Sequence, residues 1–504
     1  MALQQILPSF PSIMYLGLVH IPIALHIQTS LKRARQSWDE STMHKSQGLS
    51  PLRGVAAGRQ PSAELGWAPL LYGVGLLTVV YSFAFVDRQI FNILVGSIKG
   101  DLGITDMQIS YLLGPAFILS YVTLGIPAGW CADRFNRRNL IIIAGVAWSL
   151  GTMSAAFVTT YGGLFSTRIF VGASEAFLFP AGVSYLADLF DRPRLPIGTS
   201  IFTIAPALGG GLSLLVGGNL LASVSHYEHV AIPLLGAIRG WQVTLLVIGL
   251  VGLLPVLLMF TLKEPARRRA DVSSHSAKPE EEQFGFVEGL VYMLRRWRFY
   301  FAFFFGMACS SMVMLTVSAW APSYLSRTFG LDPAQIGSLY GTLALVLGIA
   351  GGVASPLINN WLARTRSDSP IQTVRLGPCF LLTFSLLFAT ASNQGLALVC
   401  LGLLTFSYNF PMSMASTALQ IATPPRLRGM ASAYYFVIVS LVGYGLGPVA
   451  VPLVAAHVLH DINALGLSMA IISSCFACLS LALLSVAVRG YRDECAKQAQ
   501  ACLG

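Results

Sequence analysis

Charge is the scarcest commodity in this 504-residue chain. Asp, Glu, Lys and Arg together make up 11% of it, against roughly 25% in an ordinary soluble domain. So little charge excludes a soluble globular protein, and 55% hydrophobic residues exclude a disordered one. Cysteine is sparse too. Its eight copies, at 131, 309, 379, 400, 475, 478, 495 and 502, fall in apolar runs, at a basic helix end or near the C-terminus, which excludes a disulfide scaffold. Cys475 and Cys478 form a C-x-x-C without a second ligand pair, so small-residue packing explains them better than metal or redox chemistry. The G-x-x-x-x-G-K-[ST] phosphate loop is absent, which argues against ATP-driven pumping by this chain. The eight histidines give only loop pairs, His226/His229 and His457/His460, which read as solvated residues, so no metal and no cofactor is expected.

Long apolar runs are abundant instead, with a mean hydropathy of +0.67 and 48 glycines and 26 prolines, a mixture that suits closely packed, bent membrane helices. Each span needs about 20 apolar residues. Runs lie near 68–92, 107–130, 139–159, 162–187, 196–222 and 241–262, and again near 299–325, 334–362, 373–392, 395–421, 428–456 and 463–488. The net charge of +10 could indicate nucleic-acid binding, but its distribution favours topology. With the N-terminus inside, 27 of the 32 Lys and Arg fall on inner segments and helix ends. Both termini are therefore expected in the cytoplasm of a cell (inner) membrane protein, with the lipid bilayer and no nucleic acid as partner.

Residues 1–66 read as an extension and leader, of which the first 42 carry little functional weight; a thirteenth membrane-associated segment is the alternative. The polar stretch 263–298 divides two sets of six spans, 67–262 and 299–488, and 489–504 forms a cytoplasmic tail. An internal repeat supports the division. Gln108, Ile109, Gly114 and Gly125 recur as Gln335, Ile336, Gly341 and Gly352, while Phe179, Pro180 and Gly198 recur as Phe410, Pro411 and Gly429. The expected fold is an all-α membrane protein with twelve transmembrane helices in two pseudo-symmetric six-helix bundles, which rock about a central cavity.

After the second span comes Gly129-Trp-Cys-Ala-Asp133-Arg134-Phe-Asn-Arg137-Arg138. A positive-inside loop accounts for the arginines, but not for glycine and aspartate at this spacing. Gly129 is expected to permit close helix approach. Asp133 is expected to meet the positive N-terminus of a neighbouring helix, making a latch that breaks as the bundles rock. This G-x-x-x-D-R-x-x-R-R pattern resembles the signature of the major facilitator superfamily, and the resemblance extends over about 67–488. The C-terminal counterpart has decayed to Asn360-Trp361 with Arg364 retained.

Ionisable residues within spans are expensive, roughly 2.5 to 3.5 kcal/mol each on insertion scales, and are functional candidates by default. Arg168 and Glu175 lie seven residues apart, on one helix face and about 10 Å apart along the axis. Asp87 should approach Arg168 if the first and fourth helices adjoin. A guanidinium at 168 can hold a carboxylate or phosphate at two points, and an anion competing for it would release Glu175 to take a proton. A structural lock is the competing reading of the pair. Arg88 and Lys99, near the outer surface, suit snorkelling as well as substrate contact. The uncharged C-terminal spans offer Trp320, Tyr408, Asn409, Tyr434, Tyr435 and Tyr444, suited to the tail of an amphiphile or simply to packing. Ala205-Pro206-Ala-Leu-Gly209-Gly210 is explained by bending and close packing.

The phrases Phe85-Val-Asp87-Arg88-Gln89 and Arg168-x-x-x-Gly172-x-x-Glu175 resemble the spinster-like branch of that superfamily. The resemblance implies that Asp87, Arg88, Arg168 and Glu175 line a proton-coupled site, and that lysophospholipid-like or sphingoid phosphate substrates fit. Sugar-acid and aromatic-acid symporters share pieces of the pattern. The expected function is secondary transport of a small organic anion or anionic amphiphile, coupled to protons, by a monomer working through alternating access. A lipid-modifying membrane enzyme and a receptor without flux are the readings from other classes.

Overall fold

The computed structural model describes residues 66–191, 194–225, 230–232, 236–267, 286–424 and 427–501. The expectations for the first 42 residues and for His226 and His229 lie outside these. Eleven spans among the described residues are long and apolar enough to cross a membrane. A further helix, Arg137–Ala155, opens on two arginines and completes the twelve. The spans are α1 (Trp67–Leu102), α2 and α3 (Asp106–Leu113 and Pro115–Arg134), α4 (Arg137–Ala155), α5 and α6 (Tyr161–Glu175 and Leu178–Leu189), α7 and α8 (Leu195–Phe202 and Ala205–Ser225) and α9 (Gly240–Leu258). In the second half they are α11 (Tyr300–Phe329), α12 and α13 (Pro333–Ile336 and Thr342–Leu362), α14 (Ser369–Ala389), α15 (Gln394–Ala422), α16 (Arg428–His457) and α17 (Leu465–Ala501).

Several boundaries differ from the sequence reading. At 36 residues, α1 reaches about 54 Å and outruns a hydrocarbon core of about 30 Å. Its last turns stay helical because Leu94 and Ile98 remain buried and Lys99 pairs with Asp106; it ends at Gly103, in the left-handed conformation at φ 61°. The stretch 263–298 contains a helix, α10 (Phe286–Arg295). The expected tail continues α17 to Ala501, held by Arg492 on Asp368 and by Arg296 and Lys497 on Glu494. One departure from an all-helical chain is a ribbon before α9, in which Val230–Ile232 pairs antiparallel with Gly236–Ile238.

The internal repeat has a local physical basis. Gln108 and Gln335 occupy equivalent third positions of their helices and close capping boxes with Thr105 and Asp332, satisfying backbone N–H groups that the first turn leaves without partners.

The face carrying the Gly129–Arg138 turn is called the basic face. The side-chain hydrogen bonds seen between the two bundles among the described residues lie from the middle of the helices towards the opposite face. There Arg327 of α11 grips both carboxylate oxygens of Asp106 at 2.7 and 3.0 Å. Close backbone approach seals the same region: a Cβ at Gly218 would lie 2.2 Å from the carbonyl oxygen of Pro333, and one at Gly114 2.0 Å from that of Tyr444. Towards the basic face, Phe179 of α6 stacks on Phe436 of α16 with centroids 5.8 Å apart.

Candidate transport site

Three consecutive residues of α1, Asp87, Arg88 and Gln89, are buried, and Arg168 and Glu175 of α5 are each 1% exposed. Two carboxylates and two guanidiniums thus share one apolar bundle, with formal charges that sum to zero. Such burial is tolerable only with close pairing. Arg88 Nη2 donates to Glu175 Oε2 at 2.6 Å, and Arg88 Nη1 donates to the hydroxyl of Tyr444 on α16 at 3.3 Å. The guanidinium lies over the rings of Phe117 and Phe85, at 4.3 and 4.6 Å. Of the four charged groups, Arg88 is the one that hydrogen-bonds across to the C-terminal bundle.

Arg168 does not pair with Glu175, and Asp87 does not pair with Arg168. Sharing a face of α5 was not enough, because the long Arg168 side chain turns towards the N-terminal helices. Its Nε donates to the carbonyl of Leu112 at 3.3 Å and its Nη2 to that of Arg88 at 3.4 Å, with the cation 4.4 Å from the centre of the Phe91 ring. Asp87 Oδ1 accepts the hydroxyl proton of Thr152 on α4. Arg88, for which snorkelling and substrate contact were both open, is therefore central. Four buried polar atoms of the cluster make no hydrogen bond among the described residues: Asp87 Oδ2, Arg88 Nε, Arg168 Nη1 and Glu175 Oε1. The cluster is paired enough to be stable and has atoms left for a ligand or a proton.

Beside it, between α1, α8, α11, α13 and α15, lies a cavity lined by Gln89, Ser318, Thr405, Tyr408 and Asn409 among apolar side chains. Tyr408 and Asn409, expected to face a substrate, both line it. Tyr434 does not line this cavity and packs against the cluster around Met414 and Ala418. Trp320 is fully buried, with its indole N–H on the carbonyl of Pro448 at 2.7 Å. Gln89, Asn92 and Ser318 were not singled out from the sequence; two carboxamides three residues apart in an apolar helix were the available signal.

The turn at the basic face also departs from expectation. A Cβ at Gly129 would meet nothing within 4 Å, so close approach does not require this glycine. Asp133 is exposed, with no ion pair among the described residues, because α3 ends just beyond it and leaves it beside solvent. Arg134 stacks on Trp130 at 4.2 Å. Arg137 is the hub: 1% exposed, it pairs with Asp188 of α6 and with Glu264 after α9, and donates to the carbonyl of Pro265 at 2.9 Å. Arg138 uses its backbone N–H on Glu264 and its guanidinium on the carbonyl of Leu262, both at 2.9 Å. These arginines tie helix ends together within the N-terminal bundle.

The profile of the Major Facilitator Superfamily matches residues 77–448. The chain belongs to the Major Facilitator Superfamily. Protein spinster homolog 1 of Xenopus tropicalis is 27% identical, over 74% of this chain and 70% of the relative. The D-galactonate transporter of Escherichia coli O6:H1 is 24% identical, over 76% and 86% of the two chains. The crystal structure of a bacterial homologue of the human lysosomal transporter spinster, inward-facing and unoccupied, superposes with a TM-score of 0.66 at 20% identity, covering 86% of this chain and 97% of that one. These likenesses bear out the resemblance to the spinster-like branch and the twelve-helix, two-bundle fold. The protein is a multi-pass secondary transporter and not an enzyme.

Proposed function

We propose that this transporter moves a small organic anion together with a proton, using Arg88 as the anion-docking group and Glu175 as the proton carrier. The buried 2.6 Å pair between them carries the reading. An anion that engages the guanidinium competes with Glu175 for it, and the two-point geometry of arginine suits a carboxylate, sulfonate or phosphate. The cluster is formally neutral while empty, so an incoming anion leaves one negative charge in excess within a poorly screened interior. A proton on Glu175 removes that excess. Neither ligand is accommodated as well alone, and this mutual requirement is coupling. Asp87, held by Thr152, is the second candidate for the proton, and Arg168 supports the cluster through its backbone contacts.

Both halves of the site come from one chain, which supports function as a monomer. The skewed arginine distribution supports a basic face, and both termini, on the cytoplasmic side of the cell membrane. If an impermeant thiol reagent applied outside intact cells modifies a cysteine placed at Ser276, that orientation is wrong. The transport proposal is tested in proteoliposomes with an imposed pH gradient and a panel of labelled anions that includes D-galactonate. Accumulation of at least one anion that collapses with a protonophore is the expected result. Accumulation insensitive to the gradient removes the proton from the mechanism.

A further inference from the structure

Resting on that reading, we infer that Gln89 selects the uncharged part of the substrate, and that this part carries hydroxyl or carbonyl oxygens. Gln89 is 6% exposed and lines the cavity. Its Oε1 is fully engaged, accepting from Ser318 Oγ of α11 at 2.7 Å and from Asn92 Nδ2; Asn92 Nδ2 also reaches Ser318 Oγ, at 3.3 Å. With the acceptor anchored in this way, the amide cannot rotate freely, and Nε2 makes no hydrogen bond among the described residues. Two fixed donors therefore await an acceptor in a cavity whose lining holds no charged side chain and whose other polar groups are those of Ser318, Tyr340, Thr405, Tyr408 and Asn409.

The position of Gln89 links this neutral surface to the charged one. Consecutive helical residues point about 100° apart, yet Arg88 and Gln89 both reach the C-terminal bundle, Arg88 at Tyr444 of α16 and Gln89 at Ser318 of α11. A ligand between the bundles whose anion engages Arg88 has Gln89, the next residue of α1 and part of the cavity wall, to receive an oxygen of its uncharged part. An alkyl chain at that point would leave the Nε2 donors desolvated and unpaired, which a site built for hydrogen bonding rejects strongly. The matching chemical class is a short hydroxylated organic acid, in preference to an alkyl acid of equal length.

Gluconate and hexanoate are suitable probes, being six-carbon monocarboxylates that are both ionised at neutral pH and differ in their hydroxyls. Binding to the purified full-length protein is measured for wild type, Gln89→Met and Arg88→Gln, with melting temperatures taken without probe. Wild type is expected to favour gluconate by about tenfold or more, the worth of one or two hydrogen bonds. Gln89→Met, which keeps length and removes the amide, is expected to reduce that preference to below about threefold while hexanoate affinity holds. Equal affinity of the two probes for wild type overturns the inference whether or not the variant folds, as does an unchanged preference in folded Gln89→Met. The anion reading fails separately: if Arg88→Gln binds both probes as wild type does, or wild type binds neither, the docking role of Arg88 falls and this inference falls with it.

Discussion

Arg88 of α1 and Glu175 of α5 form a buried ion pair, 2.6 Å between Nη2 and Oε2, and the same guanidinium reaches Tyr444 of the opposite bundle. A single side chain is thereby shared between a carboxylate able to carry a proton and a contact that changes when the bundles rock. Rearranging either element alters what the other can bind. Alternating access needs groups whose contacts differ between the two states, because a ligand shifts a conformational equilibrium only through its different affinity for them.

Glu175→Gln should abolish accumulation driven by a pH gradient while retaining exchange of labelled for unlabelled substrate, since a neutral amide imitates the protonated acid. Parallel uptake and counterflow assays on one reconstituted preparation check this. Gradient-driven accumulation at the wild-type level would transfer the proton to Asp87.

The two arginines of the cluster should separate by phenotype. Arg88→Lys should weaken anion binding by about tenfold or more, because an ammonium lacks the planar two-point contact. Arg168→Lys should mainly lower melting temperature, because Arg168 holds two backbone carbonyls and stacks on Phe91. Binding by calorimetry and melting of the same samples distinguish them, and the reverse pattern would return Arg168 to the anion role.

Asp106→Asn should loosen the closure opposite the basic face by removing the charge that Arg327 grips. A loss of about 1.4 kcal/mol would shift the ratio of the two conformations about tenfold. Spin-label distances across α2 and α11 measure that shift, and an unchanged distribution would show that helix packing alone closes this face.

At the basic face, Arg137→Gln should destabilise the protein by roughly 3 kcal/mol, since it leaves Asp188 and Glu264 without their shared cation. Asp133→Asn should stay within about 0.5 kcal/mol, as expected of an exposed residue with no ion pair among the described residues. Denaturation in detergent compares the two. A large effect at Asp133 would mean that its latch forms in another conformation of the cycle.

Asp368 tests pH dependence outside the spans. Burial raises the pKa of its carboxyl, but hydrogen bonds from Gln372 and Arg492 outweigh that and hold it below the usual carboxylate range. A depressed folded-state pKa contributes stability above the unfolded value, about 3.9, which is lost as pH falls through the folded one. The melting-temperature gap between wild type and Asp368→Asn should therefore be present at pH 7 and narrow as pH drops below about 4. A gap that persists in acid would assign it to packing.

The sequence by itself determined the solvent and the class of molecule. Twelve apolar runs with little charge can only be membrane helices, because length and transfer energy are properties of each segment alone. It also singled out Asp87, Arg88, Arg168 and Glu175, since charge inside a span is conspicuous wherever the span goes. Which of these meet was decided by tertiary structure. Helical spacing put Arg168 and Glu175 on one face of α5, but a long flexible side chain bonds to whatever neighbouring helices present. The carbonyls of Leu112 and Arg88 took Arg168, and α1 brought Arg88 to Glu175. Gln89 and Ser318 lie far apart in the chain on opposite bundles, so their 2.7 Å hydrogen bond has no periodicity to announce it. Arg137 likewise gained its role only when Asp188 and Glu264 folded around it. Local pattern fixes burial and helicity, whereas the partner of a buried charge depends on helix crossings that no single helix encodes.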